Sequence, residues 1–521
     1  MLLARVLLAA GLTHVAPESA VTAMNLGTGP ANNSPELVVD PRDPSVVVDA
    51  NRLDAPDFSC SLNISGDGGG TWAPLDPVPT LPPGAEKCYA PEAVFDRRGV
   101  LYYLFVGLHG GGNTPMGAFI TSSDNLGRTF SPPRLVLGPD NFGVRLAVDL
   151  SLGRAGRLIL VWLHSAAAPM LGGFQPADNP ILGSYSDDGA GHFSVPVRVS
   201  DGDRARVVAP ALIIGPHHTV AVAYYDLGSD AVDYEGLAGG TFTGTWSIVA
   251  ATSTDGGAHF GRGRVVDAGI VAPGRVMLIF TMPPPAIAAG SGVACIAWAD
   301  ARHGSADILA RCAPGLTGTW GPIRRLNDDP VGNGRDHSLP RLAVSPQGRV
   351  DAIFLDRRQD PANLANSVFY TYSINAGRTW AGNNLLTRSS SDSRIGPQYL
   401  NPSAANLVEF GSRLGLVSNE AGVLAAWPDT RNSQVGTTDQ DIFTTRVDLP
   451  DGGYHRSGGV PGAILLVVGL LMLAWTARKR RVKNAGETDA ASSTAPAAAE
   501  TGDAAEGVDD GAGVPMAADS P

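Results

Sequence analysis

Short apolar runs bounded by Gly, Pro, Asp or Asn recur along the body of the chain, and none continues into the three-to-four-residue spacing of an amphipathic helix. One stretch shows the plan. Residues 341–345, 350–356, 367–373 and 384–387 read as the inner, second, third and outer strands of one sheet. The order repeats as 211–214 before 220–226, as 286–288 before 293–300, and as 414–417, 423–429 and 441–447 at the end of the body. Nothing that follows 447 can serve as its outer strand, whereas 21–27 stands ahead of 35–39 much as 323–326 stands ahead of 340–344. The N-terminal strand is therefore expected to complete the last sheet and close a ring, which leaves no long sheet edge open.

Between these runs lie repeated eight-residue segments of the form Ser-x-(Asp/Asn)-x-Gly-x-(Thr/His)-(Trp/Phe). They begin at Ser65, Ser123, Ser186, Ser253 and Ser373, carry Asp67, Asn125, Asp188, Asp255 and Asn375 at the third place, and have Ala190 at the Gly place of the third copy. A short Asp or Asn side chain closes a tight turn by accepting backbone N–H groups, and Gly takes the positive φ the turn demands. The spacing is roughly 60 residues with one double gap, where a worn copy ending in Thr319-Trp320 is expected. Short strands at this period predict an all-β propeller, and a body of about 420 residues makes seven blades, with six as the alternative.

These segments resemble the Asp-box, or bacterial neuraminidase repeat, of the sialidase superfamily, and the resemblance spans roughly residues 24–448. It implies that each box sits on the hairpin between a blade's third and fourth strands, on the side away from the active site, so Asp67, Asn125, Asp188, Asp255 and Asn375 are expected to be structural. It also implies a chemistry in which guanidinium groups hold a sugar carboxylate, a Tyr activated by a Glu is the nucleophile and an Asp is the acid/base. The Arg-Ile-Pro usual before the first box is replaced by Pro35-Glu36-Leu37, and no catalytic residue carries over by motif.

Candidate chemistry is expected on the opposite face. The residue opening each inner strand points toward the propeller axis, and aligned on a preceding Pro or Val144 these positions are Glu36, Glu92, Arg145, Ala211, Ala286 and Arg341. Arg145, Arg341, Glu36 and Glu92 are the ligand-binding candidates. A second repeated pattern, Asp300 with Arg302, Asp356 with Arg357 and Asp429 with Arg431, falls on loops of the same face, where the Asp is expected to cap loop amides and the Arg to pair with a carboxylate. No metal site or cofactor is expected; calcium on these carboxylates is the alternative, although no Asp-x-Asp-x-Asp run is present. Two functions follow as expectations: a glycan- or protein-binding propeller without catalysis, or an exo-sialidase or related glycoside hydrolase. For either, a monomer with no nucleic-acid partner is expected.

Composition agrees with one large all-β domain, and the two ends of the chain and its cysteines lead to the expectation that it lies outside the cell. Only 17% of residues are charged, Gly (64) and Pro (40) are abundant, and the net charge is −12. Residues 1–23 read as a secretory signal, with Arg5, an apolar stretch and small residues at Val21-Thr22-Ala23. After a linker at 449–459, residues 460–477 form an apolar run ending just before Arg478-Lys479-Arg480-Arg481, which predicts a single transmembrane helix with the tail at 478–521 cytoplasmic and disordered. Of the four cysteines, Cys295 and Cys312 fall opposite one another if a hairpin turns near His303-Gly304, and Cys60 with Cys88 then remain as the second disulfide.

Overall fold

The computed structural model describes residues 14–21, 31–76, 78–151, 156–164, 179–228, 244–273, 283–396 and 410–449. The expected membrane helix, the tail and most of the expected signal lie outside these residues. Among the described residues no helix is long and apolar enough to cross a membrane. The chain divides into one compact unit at 1–454 and another at 455–521.

Seven antiparallel sheets, each of four or five strands, follow one another along the first unit. Blade one spans 32–74, two 87–137, three 141–198, four 207–271, five 286–325, six 337–392 and seven 415–448. The seven-blade expectation holds and the six-blade alternative falls. Alternation along the strands explains the packing: Val48, Ala50 and Leu62 of blade one join Phe95, Tyr103 and Phe105 of blade two in one buried cluster. Leu37 and Val47, on the other face of blade one, meet Leu424 and Ala426 of blade seven.

The ring does close through the N-terminus, but with residues upstream of those expected. His14–Val15 and Ser19–Ala20 pair with Asp441–Asp448, the third strand of blade seven. Val21 enters the core at 5% exposure. Glu18 grips Arg431 through both carboxylate oxygens at 2.6 and 2.9 Å and accepts from the Arg388 amide at 3.0 Å. Reading 1–23 as a removable leader excludes this segment from the ring, and a single buried acid among small residues gives no strand pattern to oppose that reading. The expected strand at 21–27 lies beyond Val21 outside the described residues.

The box segments fold as their residue types demand. Ser65 Oγ donates to Asp67 Oδ1 (2.8 Å) and accepts the Gly69 amide (2.8 Å), while Asp67 Oδ1 also accepts the amides of Gly70 and Thr71. Asn125, Asp188, Asp255 and Asn375 each take the corresponding amide, from Thr129, His192, His259 and Thr379. The worn copy in blade five keeps the turn through backbone alone, with the Gly321 amide on the Cys312 carbonyl at 2.8 Å. Two box glycines are also pressed against the preceding blade: a Cβ on Gly69 (φ +90°) would lie 2.6 Å from Leu424, and one on Gly377 (φ +75°) 2.1 Å from Cys312 Sγ. Arginines stitch neighbouring blades there, as Arg134 donates to the Ala190 carbonyl and Arg264 to the carbonyls of Leu316 and Gly318. Both disulfides are present; Cys295 lies opposite Cys312 in register, with Cα atoms 4.1 Å apart, and Cys60–Cys88 joins blades one and two.

Candidate functional site at the channel mouth

Each blade's first strand starts on the face opposite the boxes, and in five blades it starts with the same irregularity. Pairing with the second strand breaks just before Glu36, Glu92, Arg145, Ala211 and Arg341. Two residues upstream of each the backbone is left-handed: Ser34 (φ 54°), Ala90 (φ 49°), Gly143 (φ 56°), Ala209 (φ 53°) and Leu339 (φ 49°). Four of these five are not glycine, and such residues rarely adopt this conformation. The Pro that follows in four of the five supplies no N–H to the ladder, which suits it to an extra-residue bulge. The bulge turns the next side chain to the axis, so the Pro alignment in the sequence marks a backbone device.

The axis positions line a central cavity of ≈ 550 Å³ together with the aliphatic residues that follow them on the inner strands. Ala211 and Ala286 leave blades four and five without charge there. Blade seven supplies a member that the sequence alignment missed, Arg413, because Gly411-Ser412 replaces the marker Pro; Gly411 has φ 80°, the same conformation two residues upstream. The available clue was register: Ser412-Arg413-Leu414 leads into its strand as Pro340-Arg341-Leu342 opens the expected inner strand of blade six.

The charges alternate in one chain. Arg145 pairs with Glu92 at 2.7 Å, Glu92 pairs with Arg413, Arg413 lies 3.3 Å from Glu36, and Glu36 lies 4.0 Å from Arg341. Both acids also tie adjacent blades, since Glu36 accepts the Ala93 amide and Glu92 the Leu146 amide at 3.3 and 3.2 Å. Burial pushes the Glu36 carboxyl up despite Arg413 beside it. For Glu92 burial acts in the same direction, but Arg145 and Arg413 together overcome it and hold the carboxyl below its ordinary value. The three guanidiniums are not equivalent. Arg413 is saturated by Glu92, Glu36 and the carbonyls of Ser34 and Pro91. Arg341 has a side chain 33% exposed, no hydrogen-bond partner on Nε and a carboxylate only at 4.0 Å.

A second cavity of ≈ 70 Å³ adjoins the mouth, bounded by Arg52, Tyr89, Asn141, Phe142, Arg145 and Arg413 among others. Asp54 holds Arg52 at 2.6 Å, and Arg52 donates to the Tyr89 hydroxyl at 2.9 Å. Tyr224 and Tyr225 are buried in the core, and burial raises both.

The loop residues remain apart from this mouth chemistry. Asp300 accepts the Arg302 amide and side chain, and Asp429 does the same for Arg431. In the middle copy the partner is Arg358, not Arg357: Asp356 accepts the Arg358 amide at 2.7 Å and its side chain at 2.7 Å, while Arg357 turns to Asn366 and the Asn363 carbonyl. An Asp side chain reaches the amide two residues on, so the spacing of the other two copies pointed to Arg358. Among the described residues no group of three or more His, Cys, Asp or Glu could hold a metal ion.

No family model and no curated protein matches the chain. Its structural neighbours include sialidases and an α-L-arabinofuranosidase. A protein of unknown function from Dyadobacter fermentans is 12% identical with a TM-score of 0.48, covering 84% of this chain and 99% of that one. The Hadza microbial sialidase Hz136 is 13% identical with a TM-score of 0.43, over 78% and 75%. The α-L-arabinofuranosidase Arb93A from Fusarium graminearum is 10% identical with a TM-score of 0.45, over 85% and 99%. Likenesses this distant carry no site residue across to this chain.

Proposed function

We propose that the protein is a glycan-binding propeller that captures an acidic sugar at the channel mouth without cleaving it. The observation that carries this reading is the alternating chain of charges. Glu92 and Arg413 are consumed by one another and by the backbone, whereas Arg341 keeps a third of its side chain exposed at the channel and faces a carboxylate only at 4.0 Å. A guanidinium edge offers two parallel N–H donors to a carboxylate, and a fixed fork of this kind selects acidic sugars over neutral ones. The two disulfides support an oxidising compartment. We extend the proposal to a monomeric domain displayed outside the cell, held by one membrane helix at 460–477 with the tail at 478–521 inside.

Glycoside hydrolysis is the second reading. It is favoured by one observation: Glu36 and Glu92 share Arg413 yet are driven in opposite directions, the division of labour expected of an acid and a base. One set of measurements separates the two. Binding of sialylated and neutral glycans, and release of sugar from a fluorogenic sialoside, are compared for the wild type, Arg145→Ala and Arg341→Ala. The binding reading expects no turnover, preference for the sialylated ligand, and a loss of about one to two decades in affinity for Arg341→Ala, corresponding to roughly 1.5 to 3 kcal/mol for a charged hydrogen bond. Turnover abolished by either substitution would establish the hydrolase instead, and equal binding by all three proteins would remove the site.

A further inference from the structure

We propose that Glu36 is the displaceable partner of Arg341: a ligand carrying a single carboxylate takes its place on the guanidinium, and Glu36 takes one proton from solvent to become the neutral acid. The inference rests on the reading of the mouth as an anion site and specifies how that site works.

The two oxygens of Glu36 do different work. Oε2 is fixed, accepting the Ala93 amide at 3.3 Å and facing Arg413 at 3.3 Å. Oε1 faces Arg341 across 4.0 Å, beyond hydrogen-bond reach. A proton on Oε1 therefore leaves the stitch between blades one and two intact. It also removes the negative charge that an incoming carboxylate would otherwise meet. The exchange conserves charge: one ligand carboxylate replaces the one that Glu36 gives up, so the three guanidiniums at the axis face two carboxylates before and after a monoanion is seated.

Everything packed around Glu36 bears on that proton. Arg413 of blade seven, Arg341 of blade six and Arg145 of blade three favour the ionised form, whereas burial and Glu92 of blade two favour the neutral one, with the net effect upward. Asp49, on the second strand of Glu36's own blade, is fully buried and feels Glu36; burial pushes it up to about 7, so it titrates nearby and must be controlled for. Glu36 is the carboxyl that faces Arg341 at the mouth, and an anion seated there raises it further. Linkage then requires proton uptake on binding, with affinity rising as pH falls through the range set by Glu36 in the complex.

Isothermal calorimetry of the full chain with 3′-sialyllactose, in buffers of different ionisation enthalpy across roughly pH 5 to 8, measures this uptake directly. The expected result is uptake of up to about one proton and an affinity that falls by up to about tenfold per pH unit on the alkaline side. Glu36→Gln keeps an acceptor for the Ala93 amide and is expected to bind without Glu36-linked uptake and with a flat pH profile. Asp49→Asn is expected to keep the uptake. Wild-type binding with no proton uptake, or uptake that persists in Glu36→Gln and disappears in Asp49→Asn, would overturn the displacement of Glu36 while leaving the anion site standing. Absence of binding at every pH would overturn both.

Discussion

The box face and the channel mouth are built from the same residue types used in opposite ways. On the box face each Asp or Asn serves amides within four residues of itself, and the carboxylates remain near water; Asp67 is held at about 2 by the Thr71 amide and the Ser65 hydroxyl. At the mouth the carboxylates are buried, and each is paired with guanidiniums delivered by other blades, as when Arg413 reaches Glu92 across 321 positions of sequence. Local closure makes each box independent of the others. Nonlocal closure couples the mouth through Arg413, whose loss would strand Glu92 and leave Glu36 without its nearer guanidinium.

This contrast can be broken most forcefully at Arg413. Removing one partner of a buried ion pair leaves an uncompensated charge, which costs about 3 to 5 kcal/mol. Arg413→Met is therefore expected to lower the midpoint of chemical denaturation strongly, and a loss below about 1 kcal/mol would show that the mouth is not a coupled unit.

An intermediate effect is expected from His337, which begins the strand that carries Arg341. Its Nδ1 lies 2.7 Å from the Ala306 carbonyl, and its Nε2 stands 3.3 Å from Asp329 and 3.2 Å from Asp356. Burial alone would lower this imidazole, but the two carboxylates facing Nε2, Asp329 and Asp356, raise it to about 9. Because the folded value lies above the unfolded one, the stabilisation is fully present below about pH 6.5 and is lost as pH rises through about 9. Its full size is a few kcal/mol at most, since a tenfold change in proton affinity corresponds to about 1.4 kcal/mol. Denaturation midpoints measured from pH 6 to 10 should therefore fall for the wild type and fall less for His337→Gln; parallel profiles would discount the ion triad.

The smallest effect belongs to the boxes. Asp255→Ala removes the turn's own acceptor, and by analogy with lost caps and turn bonds should cost about 0.5 to 2 kcal/mol. Ligand affinity of the folded protein is expected to be unchanged. A shift in affinity would sharpen the comparison by showing that the two faces communicate.

Local chemistry made much of the scaffold readable in the chain itself. A Ser, an Asp and a Gly at fixed offsets close the same turn wherever they occur, so the boxes, their spacing and the blade count followed from residue types. The Cys295–Cys312 pairing followed as well, because a two-fold strand alternation about a hairpin sets which residues face each other. The axial candidates Glu36, Glu92 and Arg341 were visible for a related reason, the Pro that marks the bulge, and Arg145 by its alignment with them at Val144. Tertiary structure alone decided what these charges do. Which guanidinium is saturated and which is open depends on distances between blades far apart in sequence, and the sequence carries no trace of 4.0 Å at Arg341 against 3.3 Å at Arg413. The same holds for the N-terminal segment, whose Glu18 finds its partner in Arg431 on the last blade, 413 positions away.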